Sequence, residues 1–473
     1  MNIWITKTPA QINEASDHTL LKKNLRAVDL AALGIGSVVG TGIFVATGQG
    51  SQLAGPGILL SFIIAAVTCA FCALTYSELA CMFPVAGSTY SYSYVAFGEV
   101  IAWIIGWDLM LEYLVAASAV ASGWSTTFIP LLQQMGLNLP KALITPPLTT
   151  VAGKVVFSGG IVDLPAILIT MGISWILYVG IRESAKINNI IVGIKIAVIL
   201  LFVFLGVSHV DFANFNPFAP FGWKGIMAGA AIIFFAYIGF DAVSTAAEET
   251  QNPKRDVPLG LMICLGVIII LYISVAFVLT GMVPFKEIDV GNALPAALAR
   301  IGIRWGGALV ATGAVIGMIS TLLVTLYGQV RIFMVMARDG LLPASFARVH
   351  RVHQTPHICT WITGTVTALI AGLFPLTMII DLCNIGTLFA FVLVSIGVIV
   401  LRKTRPEVER KFKTPGVPFT PLITVGFCLY LMYSLPKVTW FRFGAWLLAG
   451  LLIYFLYSVK HSKLQHGQTA QGS

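Results

Sequence analysis

Residues 34–44 read G-I-G-S-V-V-G-T-G-I-F, and residues 234–242 read F-F-A-Y-I-G-F-D-A. Each stretch interrupts a long apolar run with residues that a membrane helix does not favour. Glycine weakens a helix interior by about 1 kcal/mol relative to alanine, and the first stretch holds Gly34, Gly36, Gly40 and Gly42. One reading is a close helix–helix contact, since small residues let membrane helices approach. The other is a broken helix. The second stretch sets Gly239 beside Asp241. A carboxylate at that depth must face protein or a water-filled cavity, and a neighbouring hydroxyl would satisfy it in a purely structural role.

The composition around these stretches excludes a water-soluble fold. Of 473 residues, 57% are hydrophobic and 10% charged, against roughly 45–50% and 25% in soluble proteins. The chain is an all-α integral membrane protein. A spanning helix needs about 20 apolar residues, and twelve such runs are present, near residues 29–52, 57–82, 98–129, 162–181, 185–207, 223–247, 256–282, 305–335, 357–375, 379–401, 416–435 and 439–459. They are too continuous for barrel strands, which alternate over shorter segments. Residues 1–28 form a polar N-terminal segment without the pattern of a cleaved signal peptide, and 460–473 a polar tail expected to be disordered.

Net charge is +9. If the N-terminus is cytoplasmic, 20 of the 29 basic side chains fall in inner segments, among them Lys22, Lys23 and Arg182. Cytoplasmic loops carry such an excess, so both termini are expected inside a cell membrane, and the charge requires no nucleic-acid partner. The seven cysteines show no metal-ligand spacing, and neither a metal site nor a disulfide framework is expected. The run from Arg338 to His357 reads as a basic loop with a short surface helix, and its histidines as surface residues.

The two glycine-bearing stretches gain meaning as a pair. Spans 1–5 (29–207) and 6–10 (223–401) form two successive sets of five, with spans 11 and 12 (416–459) following, and the interrupted spans open each set. Interruptions at matching positions in two halves are the sequence pointer to a transporter site. A break frees backbone groups that would each cost several kcal/mol against lipid. Facing a cavity, they become ligands. N–H groups at a helix start suit a carboxylate, and carbonyls at a helix end suit an ammonium. Such a site matches a zwitterionic amino acid.

Lys195 lies nine residues beyond Lys186, at the inner edge of span 5, hence roughly 14 Å deep. That exceeds the reach of snorkelling, so the ammonium must pair or lose its proton. It is the candidate proton-coupling group. Asp108 and Glu112 share a face of span 3; Glu112 is placed to meet the substrate or Lys195, and either acid has an equally good structural reading. Glu78, at the inner end of span 2, reads as structural.

The quoted stretches, with S-E-L-A-C-M-F-P-V-A-G-S-T-Y-S-Y (77–92), G-W-D-L-M-L-E-Y (106–113), the continuation of the second stretch to Pro258, and Y-G-Q-V-R-I-F-M-V-M-A-R-D-G-L-L-P (327–343), resemble the amino acid–polyamine–organocation family, in its cationic amino acid transporter branch. The resemblance spans about residues 20–415. It implies a leucine-transporter-type fold, a 5+5 inverted repeat with helices 1 and 6 discontinuous. It further implies that the substrate carboxylate meets N–H groups of Thr41, Gly42 and Ile43. The ammonium would meet carbonyls near Val38 and at Phe235, Ala236 and Ile238. The Phe235 ring would form a lid, and Lys195 would stand where sodium binds in related transporters, so that no cofactor and no sodium site are expected. Animal members of the branch have fourteen spans, so twelve suggest a bacterial chain.

Met318 falls where the wall of the side-chain pocket is expected, although a methionine in an apolar span is more often packing. As a wall it shortens the pocket and offers a cationic side chain no partner. The expected function is therefore proton-coupled symport of small neutral L-amino acids such as alanine, by alternating access. Exchange, and transport of cationic amino acids, are the alternatives. No nucleophile–base–acid set suggests an enzyme. Membrane lipid is the surrounding partner; a small membrane protein or sterol-like lipid is left open.

Overall fold

The computed structural model describes residues 2–8, 25–85, 87–151, 154–180, 185–353 and 355–471. Lys22, Lys23 and Arg182, counted above among the inner basic residues, lie outside them, as does most of the N-terminal segment. Eight helical stretches of 20–41 residues are long and apolar enough to cross a membrane, and four shorter apolar helices accompany them.

These elements compose twelve spans. Span 1 is Ala27–Val38 followed, after a break, by Gly42–Ala46 and Thr47–Ala54. Span 2 is Ile58–Met82, span 3 Glu99–Gln134, span 4 Leu164–Val179 and span 5 Ala185–Val207. Span 6 is Gly222–Ile233, a tight turn at Phe234–Tyr237, and Ala242–Thr245. Spans 7 to 10 are Pro253–Met282, Arg304–Arg338, His357–Leu373 and Leu376–Thr404; spans 11 and 12 are Phe419–Ser434 and Lys437–Ile453, the last continuing through Tyr454–Ser458.

The two broken spans occupy the centre. The second half of span 1 packs along the first half of span 6, and the first half of span 1 meets the second half of span 6. Span 3 lies along spans 8 and 10, span 7 along spans 1 and 2, and span 5 along spans 1 and 8. The breaks are thus enclosed on every side by helices rather than lipid, as exposed peptide groups require. With an even number of crossings both termini share one face, called here the terminus face.

Three features depart from expectation. The segment between spans 3 and 4 carries a two-stranded antiparallel hairpin, Leu148–Val151 against Lys154–Phe157, the sole sheet among the described residues. The tail, expected to be disordered, is helical at Lys463–Gln471. It is held by span contacts that composition does not reveal: Gln465 Nε2 donates to Glu99 Oε1 at 3.0 Å, and Ser462 Oγ donates to the same carboxylate. Among the described residues, the helical part of the loop after span 8 is one short turn, Ala344–Ala347, which Pro343 starts and from which the chain extends at Arg348 (ψ 127°).

Glu78 is structural, as read. Its carboxylate receives Arg402 at 2.9 and 2.7 Å and the Thr414 N–H at 2.7 Å, with Arg410 3.4 Å away. This joins span 2 to span 10 and to the loop beyond it.

Candidate functional site

Span 1 breaks where its sequence supports a helix least. The first half closes with Val39 N donating to Ile35 O at 2.9 Å. Val39 then turns to ψ 96°, and the helix restarts at Thr41-Gly42 in a wide turn. Phe44 N donates to Gly40 O at 3.4 Å. The N–H groups of Thr41, Gly42 and Ile43 precede that bond, at the start of the second half, where a helix supplies no internal acceptors.

Span 6 breaks after Tyr237. Ile238 is extended (ψ 138°), and Gly239 has φ +109°, a conformation that side-chain-bearing residues rarely adopt. The strand-like segment is pinned to span 1: Ser37 Oγ lies 2.7 Å from Gly239 O and 3.0 Å from Gly34 O.

The two breaks touch. A Cβ on Gly42 would lie 2.3 Å from Ala236 Cα and 2.8 Å from Ala236 Cβ, so only glycine permits this approach. Thr41, one residue earlier, faces span 3 and span 8. Its Cγ2 would meet a Cβ on Gly123 at 2.2 Å, and its Oγ1 is 3.3 Å from Met318 Sδ. Met318 is fully buried. Thr41 and Gly42 of span 1, Ala236 of span 6 and Met318 of span 8 are therefore brought together around one locus.

Several carbonyls freed by the breaks have protein partners. Val38 O accepts from Tyr272 OH at 3.2 Å, and Phe235 O accepts from Ile238 N at 3.3 Å. Each retains a second lone pair. Phe235 is buried, at 6% exposure.

Lys195 is fully buried, and its stem lies along Gly317, whose Cβ would be 3.0 Å from Lys195 Cε. Nζ donates to Gly36 O at 2.5 Å and to Thr321 Oγ1 at 2.8 Å. Thr321 Oγ1 in turn lies 3.1–3.3 Å from the carbonyls of Gly36, Val39 and Gly317. The ammonium thus sits at the negative end of the first half of span 1 and links spans 1, 5 and 8. Thr321, Ser37 and Tyr272 escaped the sequence reading. Thr321 stands one helical turn beyond Met318 on the same face, which is the signal that could have found it.

Glu112 is buried on span 3. Its backbone carbonyl is 3.7 Å from Cys383 Sγ of span 10. It therefore lies against span 10. Asp108, also buried, points at Gly386 of span 10. Among the described residues no group of histidine, cysteine or acidic side chains could hold a metal ion. His350 stacks on His353 at 5.0 Å and edges His357 at 5.3 Å.

Twelve apolar spans around two apposed helix breaks are the architecture of a multi-pass membrane transporter. The amino acid permease family profile matches residues 25–456. The chain is 48% identical to the branched-chain amino acid permease BcaP of Bacillus subtilis, over 96% of this chain and 97% of that one. It is 47% identical to the methylthioribose transporter of the same organism, over 98% and 100%. It is 32% identical to the chloroplastic cationic amino acid transporter 9 of Arabidopsis thaliana, over 93% and 89%. The chain belongs to the amino acid permease family, in agreement with the resemblance drawn from its motifs.

Proposed function

We propose that this protein is a proton-coupled symporter that takes up neutral L-amino acids across the cell membrane by alternating access, with the terminus face cytoplasmic. The observation that carries the reading is the Lys195 ammonium seated on Gly36 O, at the broken end of span 1. In this reading the substrate carboxylate binds the N–H groups of Thr41, Gly42 and Ile43, and its ammonium binds the carbonyls of Val38, Phe235, Ala236 and Ile238. Phe235 covers the bound molecule. Spans 1–5 and 6–10 act as inverted repeats, so the breaks are reached alternately from either side.

Protonated Lys195 holds span 1 against spans 5 and 8. Loss of its proton removes the positive charge from the carbonyl end at Gly36, weakens the charge-assisted bonds to Gly36 O and Thr321, and frees the first half of span 1 to move. Proton release and release of substrate toward the cytoplasm are linked in this way. No sodium is needed, because the ammonium supplies the cation. Glu112, buried on span 3, is the second candidate for a proton.

Met318 beside Thr41 favours a neutral side chain. The branched-chain permease name of one close relative supports aliphatic cargo up to the size of leucine, beyond the alanine expected from sequence. The methylthioribose name of another makes an uncharged thioether sugar a necessary control. The test is uptake into proteoliposomes of alanine, valine, leucine, arginine and methylthioribose, with and without an inward-acid gradient. Accumulation of neutral amino acids only with the gradient supports symport. Uptake that requires internal substrate indicates exchange, and preference for arginine or methylthioribose overturns the assignment of cargo.

A further inference from the structure

The terminus-face ends of spans 1 and 6 are zipped together. Leu25 N donates to Glu249 O at 3.0 Å, and Gln251 N donates to Leu25 O at 2.9 Å. Arg26 Nε adds a bond to Gln251 Oε1 at 3.2 Å. The first half of span 1 and the second half of span 6 therefore form one unit, joined to the remainder of each span only through the flexible breaks.

Besides the Lys195, Thr321 and Tyr272 bonds at its inner, broken end and Asn189 Nδ2–Asp29 Oδ1 at 3.4 Å, two side-chain contacts fasten the span 6 part of this unit to the surrounding helices near the terminus face. Arg331 of span 8 reaches Glu249 Oε1 at 3.2 Å while its guanidinium lies 4.4 Å from the Tyr327 ring. On the other side Ser88 Oγ lies 2.8 Å from Ser244 Oγ. Ser244 donates its own proton to Asp241 O at 2.6 Å, so Ser88 is the donor across the gap. Ser88 begins the short helix Ser88–Ala96, which packs on spans 3 and 10.

Ser88 has φ +44°. It is the only non-glycine residue in the left-handed region among those described, and serine there pays a conformational cost that glycine does not. Such strain persists only where surrounding contacts enforce it. Ser88 N donates to Val85 O at 3.3 Å within its own turn, and the contact that ties Ser88 to the unit that must move, if the breaks are to open toward this face, is the one to Ser244.

We propose that Ser88–Ser244 and Arg331–Glu249 are the two latches of the terminus-face gate, and that the strained backbone at Ser88 acts as a spring that favours opening once the hydroxyl bond is lost. The inference rests on the transport reading above. Both latches hold the face closed in this structure. Removing a hydroxyl loosens the first latch without touching the substrate-contacting residues. Replacing Ser88 by glycine removes the hydroxyl and the spring together.

The first test is the double variant S88C/S244C in proteoliposomes, oxidised with copper–phenanthroline, with the cross-linked peptide identified by mass. The latch predicts at least a tenfold loss of uptake on cross-linking, recovery with dithiothreitol, and a retained substrate-induced thermal shift. A confirmed cross-link with unchanged uptake, or failure of the two cysteines to join, overturns the proposal. Wild-type uptake in the same vesicles separates the two ideas: if it is absent, the transport reading has failed instead.

The second test needs no transport. Ala247 is 1% exposed on the zipped unit, and A247C reports opening through its rate of alkylation by an impermeant maleimide. Rates should rise about fivefold or more in S88A and S244A. S88G should react about tenfold more slowly than S88A, the ratio expected from relieving one left-handed non-glycine residue. Equal rates in the parent, S88A and S244A overturn the latch; equal rates in S88G and S88A overturn the spring.

Discussion

Replacement of Gly42 by alanine tests whether the apposed breaks form the binding site. The new Cβ would lie 2.3 Å from Ala236 Cα, whereas ordinary contacts begin at 3.4 Å. The obstruction is backbone, which has no rotamer by which to withdraw. The two breaks must therefore part by about 1 Å. Overpacking of this kind costs about 1–3 kcal/mol of stability, and a displacement near 1 Å at a site that depends on fixed backbone donors costs on the order of 100-fold in function. Thermal unfolding in detergent and proteoliposome uptake measure the two effects. Gly193→Ala in span 5 and Gly266→Ala in span 7 serve as controls, because a Cβ at either position meets nothing within 4 Å; each should be neutral or stabilising by up to about 1 kcal/mol. Gly42→Ala with the same substrate affinity and uptake as these controls would refute the placement of the site.

Other expectations concern coupling, selectivity and architecture. Lys195→Ala should abolish accumulation driven by an acid gradient; a variant that still concentrates substrate on that gradient shows the coupling group to be elsewhere. Met318→Ser should admit longer or cationic side chains in a competition assay, and an unchanged profile removes Met318 from the pocket wall. Glu78→Ala should lower stability by about 2–3 kcal/mol by stranding Arg402 and Arg410, a figure reduced from the fully buried case because the Arg402 side chain is 28% exposed; a melting temperature within a degree of wild type contradicts it.

Much of the site was legible before any coordinates because the signals are local and costly. Glycines at Gly40 and Gly42, and Gly239 beside Asp241, mark positions where a lipid-facing helix would fail, and a lysine as deep as Lys195 demands a partner. Ser37 was not legible, since a lone hydroxyl in an apolar span more often bonds its own helix four residues back, and Thr321 was marked only by its place one turn beyond Met318. The helical tail was hidden for a related reason. Its polar composition speaks for disorder, and only contacts with distant parts of the chain, the buried Glu99 carboxylate and the Asp339 carbonyl, which accepts from Lys463 N at 3.1 Å, explain why it folds.

The residue order alone determined that the chain lives in a bilayer, crosses it about twelve times and breaks two of those crossings, since the cost of placing polar peptide groups or charges in hydrocarbon is set within a few residues along the chain. Tertiary structure decided which groups meet: that Lys195 finds the carbonyl of Gly36, 159 residues away, that Gly42 closes on Ala236, and that Ser88, in a left-handed turn, meets Ser244. Those pairings depend on how helices pack across both halves of the molecule, and no local preference encodes them.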